Sequence, residues 1–405
     1  MPLDYRAVYQ KIQHFASHAR TLYEEQDRRK QDALKTLHAW AERGPALQKM
    51  VATAAGIYTP WRSAQPTDEP LTLAVDPPPD AEHRVAQALV LAADGSQIEP
   101  DPHAALYYAL VNVGVVMMAA DLTPRTHIVS ELYTPEDLLT QRLQVNLMRD
   151  LRERAALAEA AKVLQGRQSP SADWEAFYAD LPPTTALLGL TDGPLELWGA
   201  KDDPSHSFEQ ALQTYLAHLR DLRDMAVISA GYVDNPHANL VVHTLALAAQ
   251  QPPLQREQIL KIVHNDHPFQ GVNDTALFAH LLKPGQRSAI FGLASQSRAQ
   301  YTGDLALHFF YLNTAIDPQT PNIARVEIPQ WVAHDTEALN TLHAVLIWQS
   351  RRVPHTPYPY ILRRAHEVAV VRREDRQAVE TWLKRELLAH GLFPGLPSAK
   401  KRSKE

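Results

Sequence analysis

The sequence predicts an α/β fold in which a mixed sheet is flanked by helices and preceded by a helical N-terminal extension. Two apolar runs and one periodic stretch carry this expectation. Ala88–Ala93 has the length and bounds of a buried strand and ends abruptly in Asp94-Gly95-Ser96. A second run, Ala186–Leu190, ends in Thr191-Asp192-Gly193-Pro194-Leu195. In the N-terminal stretch, Tyr9, Ile12, Phe15, Leu22, Leu34, Leu37 and Trp40 recur at helical spacing around the charged block Glu24–Lys30, with Gly44-Pro45 as a break.

The elements follow in order. Thr59–Pro79 is rich in Pro, Asp and Thr and reads as a surface linker with at most one short strand, Leu71–Val75. Expected boundaries are therefore a helical region over 1–58, a Pro-rich linker over 59–80, a main domain over 81–390 and a basic, disordered tail over 391–405, which holds Lys400, Lys401, Arg402 and Lys404. Ala105–Met118 makes a second strand and His127–Tyr133 a third. The short Gln97–His103 loop implies antiparallel pairing. Pro135–Gln165 is helical, with Leu143, Leu147, Leu151, Ala155, Ala158 and Val163 as its apolar face. A meander whose first strand bears an Asp, then a helix, then a second Asp-bearing strand, is the order of a ribonuclease H-like sheet. Further helices are expected over Phe208–Met225, Leu240–Ala249, Asp274–Leu282, Thr336–Ser350 and Glu374–His390. Further strands are expected over Val227–Val233, Leu305–Asn313 and Ile323–Pro329, and His366 reads as leading into a late strand.

Bulk properties narrow the function classes. The net charge of −6 argues against a protein that coats nucleic acid through a generally basic surface, but leaves room for a basic channel built from Arg351, Arg352, Arg363, Arg364, Arg372, Arg373 and Arg376. The absence of cysteine excludes disulfides, thiolate metal sites and cysteine nucleophiles, and fits a reducing compartment. The first residues lack a signal-peptide pattern, and the apolar stretch Val111–Ala120 is too short to span a bilayer and contains Asn112. A cytoplasmic protein without a membrane segment is the expectation. No Gly-rich loop ending in Gly-Lys-Ser/Thr is present, so the chain is not itself a nucleotide-driven motor.

One Asp-Gly pair alone reads as a solvated turn. Two matching copies, each delivered to a sheet edge by a buried strand, point to a shared metal site instead. Hard oxygen ligands favour Mg²⁺ or Mn²⁺. The intervening helix offers Glu153, near its apolar face, or Glu159, six residues on and on a different face; Glu153 also reads as a solvated charge paired with Arg149 or Arg154. Such a carboxylate cluster suits phosphodiester hydrolysis with two ions roughly 3.5–4 Å apart. His366 could shuttle protons or complete a metal shell, and its arginine neighbours could hold phosphates. His264 and His267 have metal-like spacing but lie in a polar turn and read as surface residues.

Together these pieces resemble the NurA family of nucleases in DNA end processing. The matching segments are Ala92-Ala93-Asp94-Gly95-Ser96, Arg152-Glu153, Thr191-Asp192-Gly193-Pro194-Leu195, Ala230-Gly231-Tyr232-Val233, Leu282–Ser288 and Tyr358–His366. The resemblance implies a ribonuclease H-like fold, Mn²⁺-dependent exonuclease and endonuclease activity on DNA, a ring-like homodimer, and partnership with a hexameric HerA-type ATPase; the carboxylate chemistry itself admits Mn²⁺ or Mg²⁺ and two ions. It puts the metal-binding acids on Asp94, Glu153 and Asp192 and the active-site Tyr and His on Tyr232 and His366; beside it, the residue reading makes His366 a further metal ligand and places DNA contacts on Arg287, Arg363 and Arg364. Here Gly166–Asp180 reads as an insertion, so Glu159 competes with Glu153 for the third acid, and Pro194 stands where the family commonly has Ser, which bears on the geometry of that turn. A non-catalytic clamp of the same fold and a small-molecule phosphohydrolase are the competing readings.

Overall fold

A computed structural model describes residues 3–141, 144–198, 206–393 and 395. The basic tail and Leu143 lie outside the described residues, apart from 391–393 and 395 of the tail region. The chain forms two compact units. One comprises 77–233, 303–305 and 327–405; the other comprises 1–76, 234–302 and 306–326. Residues 234–302 fall in the second of these, although the sequence groups them with the main domain.

The first unit holds five paired strands: β1 (Ala88–Ile98), β2 (Ala109–Ala119), β3 (Leu122–Tyr133), β4 (Ala186–Asp192) and β5 (Ile228–Val233), in the order β5-β4-β1-β2-β3. β1, β2 and β3 form an antiparallel meander, while β4 and β5 run parallel to β1. This is the ribonuclease H-like order expected from the sequence. Helix α1 (Val145–Leu164) covers one face, its Met148, Ala156, Leu157 and Ala160 packing on Leu89, Leu91, Val111, Val113 and Val115. Helix α2 (His206–Asp224) adds Leu222 beside Ala158 and Ala161.

Helix α3 (Tyr360–Ala369) lies against β1 and β2. Its Ile361, Leu362, Ala365 and Ala369 are buried, one stripe of a helical period, while Arg363 and His366 are exposed. His366 therefore stands on a helix, not ahead of a strand. The run Val368–Val371 imitates a strand locally, but the helix ends there and is clasped by polar groups. Asn112 Nδ2 and Ser96 Oγ both donate to the Ala369 carbonyl, at 2.7 and 2.5 Å, and the Val371 amide donates to Ser96 Oγ at 3.0 Å. Asn112, the polar residue inside an apolar strand, thus satisfies a carbonyl at the helix end.

The second unit begins with two helices, Tyr5–Ala39 and Gly44–Ile57, broken near the Gly44-Pro45 pair. The stretch read as linker contributes two strands: Ser63–Pro66, paired with Phe291–Ala294, and Ala74–Val75, paired with Arg287–Ser288. Its lack of apolar alternation hid the first of them. Asp274 is fully buried, accepts from the Val241 and Val242 amides at 2.9 Å and takes the Tyr311 hydroxyl.

His264 is exposed, as expected, but His267 is half-buried. Its Nδ1 accepts from the Phe269 amide at 3.2 Å, and its ring meets His243 edge-on. Burial, then the neighbouring His243, pulls its pKa from 6.5 down to about 4, against a small opposing pull from Asp266. A depressed histidine favours the folded state fully above 6.5, and this contribution is lost as pH falls toward 4. His267→Asn, whose Oδ1 takes the place of Nδ1 and can still accept from the Phe269 amide, is expected to flatten the fall of melting temperature across that window. Thermal melts over pH check this; an unchanged slope refutes it.

Candidate active site

Strand register builds the site. The β1–β4 ladder ends at Ala93 opposite Thr191, and beyond it the two strands part. Side chains alternate along a strand. Thr191 faces α1, where its hydroxyl accepts from Arg154 Nη2 at 3.2 Å. Asp94 and Asp192, one residue further on, face the other way. Asp94 is not at a strand end: β1 continues to Ile98, paired with β2 alone, and Gly95 sits in the strand opposite Val113. The apolar run stops because burial on both faces stops. Gly193, by contrast, does turn the chain, at φ +94°.

Three neighbours fix the two aspartates. Asp94 Oδ1 accepts from the Gly95 amide at 2.8 Å, and Asp94 Oδ2 is 2.8 Å from His366 Nδ1. Asp192 accepts from the Tyr358 hydroxyl. Burial, then the Asp192 charge, pushes the Tyr358 phenol far above its usual range, so it serves as a donor and not as an anion.

Glu153 approaches from the α1 face. It reaches the strand at Gly95, where a Cβ would come within 2.7 Å of Glu153 Oε1. The missing side chain is thus the gap through which an acid from one face comes near an acid on the other. Glu153 is 9% exposed. Burial raises its pKa well above the usual range, and the Asp150 and Asp94 charges add to this against Arg149 and Arg154. Arg149 lies 3.3 Å from it, so the expected arginine pairing is present, but the carboxylate is buried and not solvated. Glu159 is half-buried, paired with Arg152 at 3.1 Å, and lines a separate small hollow with Trp174 and Tyr178.

One cavity of about 490 Å³ joins these groups. Asp94, Glu153, Asp192 and His366 line it, with Arg149, Asp150 and Arg154. Tyr232 stands apart: it is 1% exposed and packs edge-on behind Tyr358, ring centroids 5.5 Å apart. Tyr358 was missed by sequence reasoning, although it sits inside the quoted Tyr358–His366 segment just ahead of α3. Arg363 and Arg364 lie on the outer side of α3, both paired with Glu367, at 3.0 Å for Arg363. Arg287 is 6% exposed, donates to the Ser288 carbonyl and lies 4.0 Å from Glu69; burial lowers its pKa. Its guanidinium is buried within the second unit and offers little surface for a phosphate.

The model of the NurA domain matches residues 88–371. The chain belongs to the NurA family. No curated protein matches it. Among solved structures it is similar to the NurA nuclease from Sulfolobus solfataricus, at 10% identity over 95% of this chain and 98% of that one, with a TM-score of 0.49. It is also similar to the catalytic domain of human endonuclease V, at 14% identity over 84% and 98% of the two chains, with a TM-score of 0.30. Ciona intestinalis endonuclease V in complex with DNA matches at 11% identity over 72% and 86%, with a TM-score of 0.28.

The donors of this NurA chain fit a hard divalent cation in kind, being three carboxylates and an imidazole around one cavity. Among the described residues, however, no three such side chains already converge on one point. Asp94 and Asp192 are turned to His366 and Tyr358, and an arginine stands beside Glu153. No helix among the described residues is long and apolar enough to cross a membrane.

Proposed function

We propose that the chain is a deoxyribonuclease that hydrolyses phosphodiester bonds with Mn²⁺ or Mg²⁺, two ions being the working number. The observation that carries this is the meeting of Asp94, Glu153, Asp192 and His366 on one cavity where two ribonuclease H-like strands part. Asp94, Glu153 and Asp192 would hold the cations, with His366 as a further ligand or proton carrier. When bound, such ions lower the pKa of an attacking water and steady the leaving oxygen. Tyr358 fixes the Asp192 carboxylate. His366 holds Asp94 through Nδ1, and its side chain is 63% exposed, so Nε2 is open to exchange a proton at the reacting phosphate. Arg363 and Arg364 can leave Glu367 for backbone phosphates, as exposed pairs are weak.

The finer reading follows the family: DNA ends processed for break repair in the cytoplasm, a homodimer, and a HerA-type hexameric ATPase that moves the DNA. The missing phosphate loop supports a separate motor. Tyr5, Tyr9, Ile12, Phe15 and Leu22 form a stripe along the N-terminal helix and are all more than half exposed, which supports self-association. Sizing the purified chain, alone and with the ATPase, tests both.

End-labelled single-stranded and duplex DNA incubated with Mn²⁺, Mg²⁺ or EDTA tests the activity. Cleavage is expected with the metals and not with EDTA. Because Glu153 must lose its proton to bind a cation, cleavage is expected to fall as pH falls. The arginine among the acids favours a second reading, a DNA clamp that does not cut. DNA left intact but bound in every lane, with the ATPase present, would establish that reading.

A further inference from the structure

The cavity is lined by more acid than base: Asp94, Asp150, Glu153, Asp192 and Glu196 against Arg149 and Arg154. The two arginines differ. Arg154 is 2% exposed, stacks on Tyr215 and donates Nη2 to Thr191 and to the Tyr215 hydroxyl, so it is a fixed charge. Arg149 is an accessible one, its side chain 34% exposed. Its Nη2 and Nε reach Asp150 Oδ1 at 2.7 and 3.1 Å, and its Nε lies 3.3 Å from Glu153. Burial opposes its charge, but Asp150, Glu153 and Asp94 outweigh this and hold its pKa above the usual value. Its stem crosses the strand at Gly95, where a Cβ would come within 2.5 Å of Arg149 Cγ. The strand leaves a bare position next to Asp94, and a flexible cation lies in it.

We propose that Arg149 is an exchangeable cation: it neutralises the carboxylates while no metal is bound, yields them to an entering divalent cation, and then turns to a phosphate of the DNA. Arg149 shares the Glu153 carboxylate with the proposed cation, and repulsion between the guanidinium and an entering divalent ion weakens the arginine's hold there. The guanidinium fork suits phosphate oxygens, and its long stem lets it swing. This inference rests on the metal-dependent reading above.

Calorimetric titration of Mn²⁺ into the metal-free full chain, without DNA, tests it. Arg149→Met removes the competitor and is expected to bind Mn²⁺ about tenfold tighter, the scale of one part-buried charge interaction. Arg149→Lys, which keeps a charge and gives up the fork, is expected between the two and covers the case in which the Met variant fails to fold. At saturating Mn²⁺ both variants should need more DNA for half-maximal cleavage. Folded variants that bind Mn²⁺ no tighter than the parent overturn the exchange while leaving the nuclease reading intact. A parent chain that binds no Mn²⁺ overturns both.

Discussion

Asp94→Asn is expected to lower cleavage by roughly 10³–10⁴-fold while leaving the fold in place, the scale seen when an acid that orients a catalytic histidine becomes an amide. The asparagine oxygen can keep the Gly95 amide bond, which leaves its NH₂ group facing His366 Nδ1. An amide nitrogen only donates, so the ring must place its proton on Nε2 and lose the tautomer that the carboxylate favours. The negative charge for a cation goes at the same time. Nothing changes in volume, so the melting temperature should stay near that of the parent. Initial rates on labelled DNA and nitrogen NMR of the ring check the two halves. Retained cleavage would remove Asp94 from the machinery. Glu159→Gln, on its separate hollow, should cleave as the parent does.

Gly114→Ala should damage stability and activity together. Gly114 is the register partner of Asp94 on β2 and faces α3. A Cβ there would lie 2.8 Å from both the Ala365 carbonyl oxygen and the Ala369 nitrogen. Both are backbone atoms of the helix that carries His366, so no side chain can step aside. The helix must lift, at a cost of about 2–3 kcal/mol for an overpacked contact. Lifting it parts His366 from Asp94, and a misplacement near 1 Å typically costs about 10²-fold in rate. Chemical denaturation and single-turnover cleavage measure the two effects. A variant as stable and as active as the parent would show that α3 does not set the histidine.

The meander was legible because Leu89–Ala93, Val111–Met117 and the strand after them carry near-continuous or alternating apolar residues, the direct imprint of burial. The aspartates were legible because each terminates such a run. What the run could not show was the neighbour: β1 continues past Asp94, but β4 no longer accompanies it. Tyr358 and α3 were obscured by Pro359 and by the β-branched Val368, Val370 and Val371, although the stripe Ile361, Leu362, Ala365 and Ala369 has a helical period. The burial of Arg287 depends on strand pairing far along the chain, which no local pattern encodes. The roles of Gly95 and Gly114 are equally non-local, since a glycine announces space without saying who fills it.

Asp94 and His366 are separated by 272 positions. At the usual pace of synthesis, about 5–20 residues each second, the histidine emerges roughly 15–50 s after the aspartate. Through that interval the nascent chain holds Asp94 without the helix whose His366 meets it, and contacts so distant in sequence form slowly even afterwards. Until that helix docks, a growing chain lacks the Asp94–His366 contact, and the proposed site is complete only once a single short helix has closed.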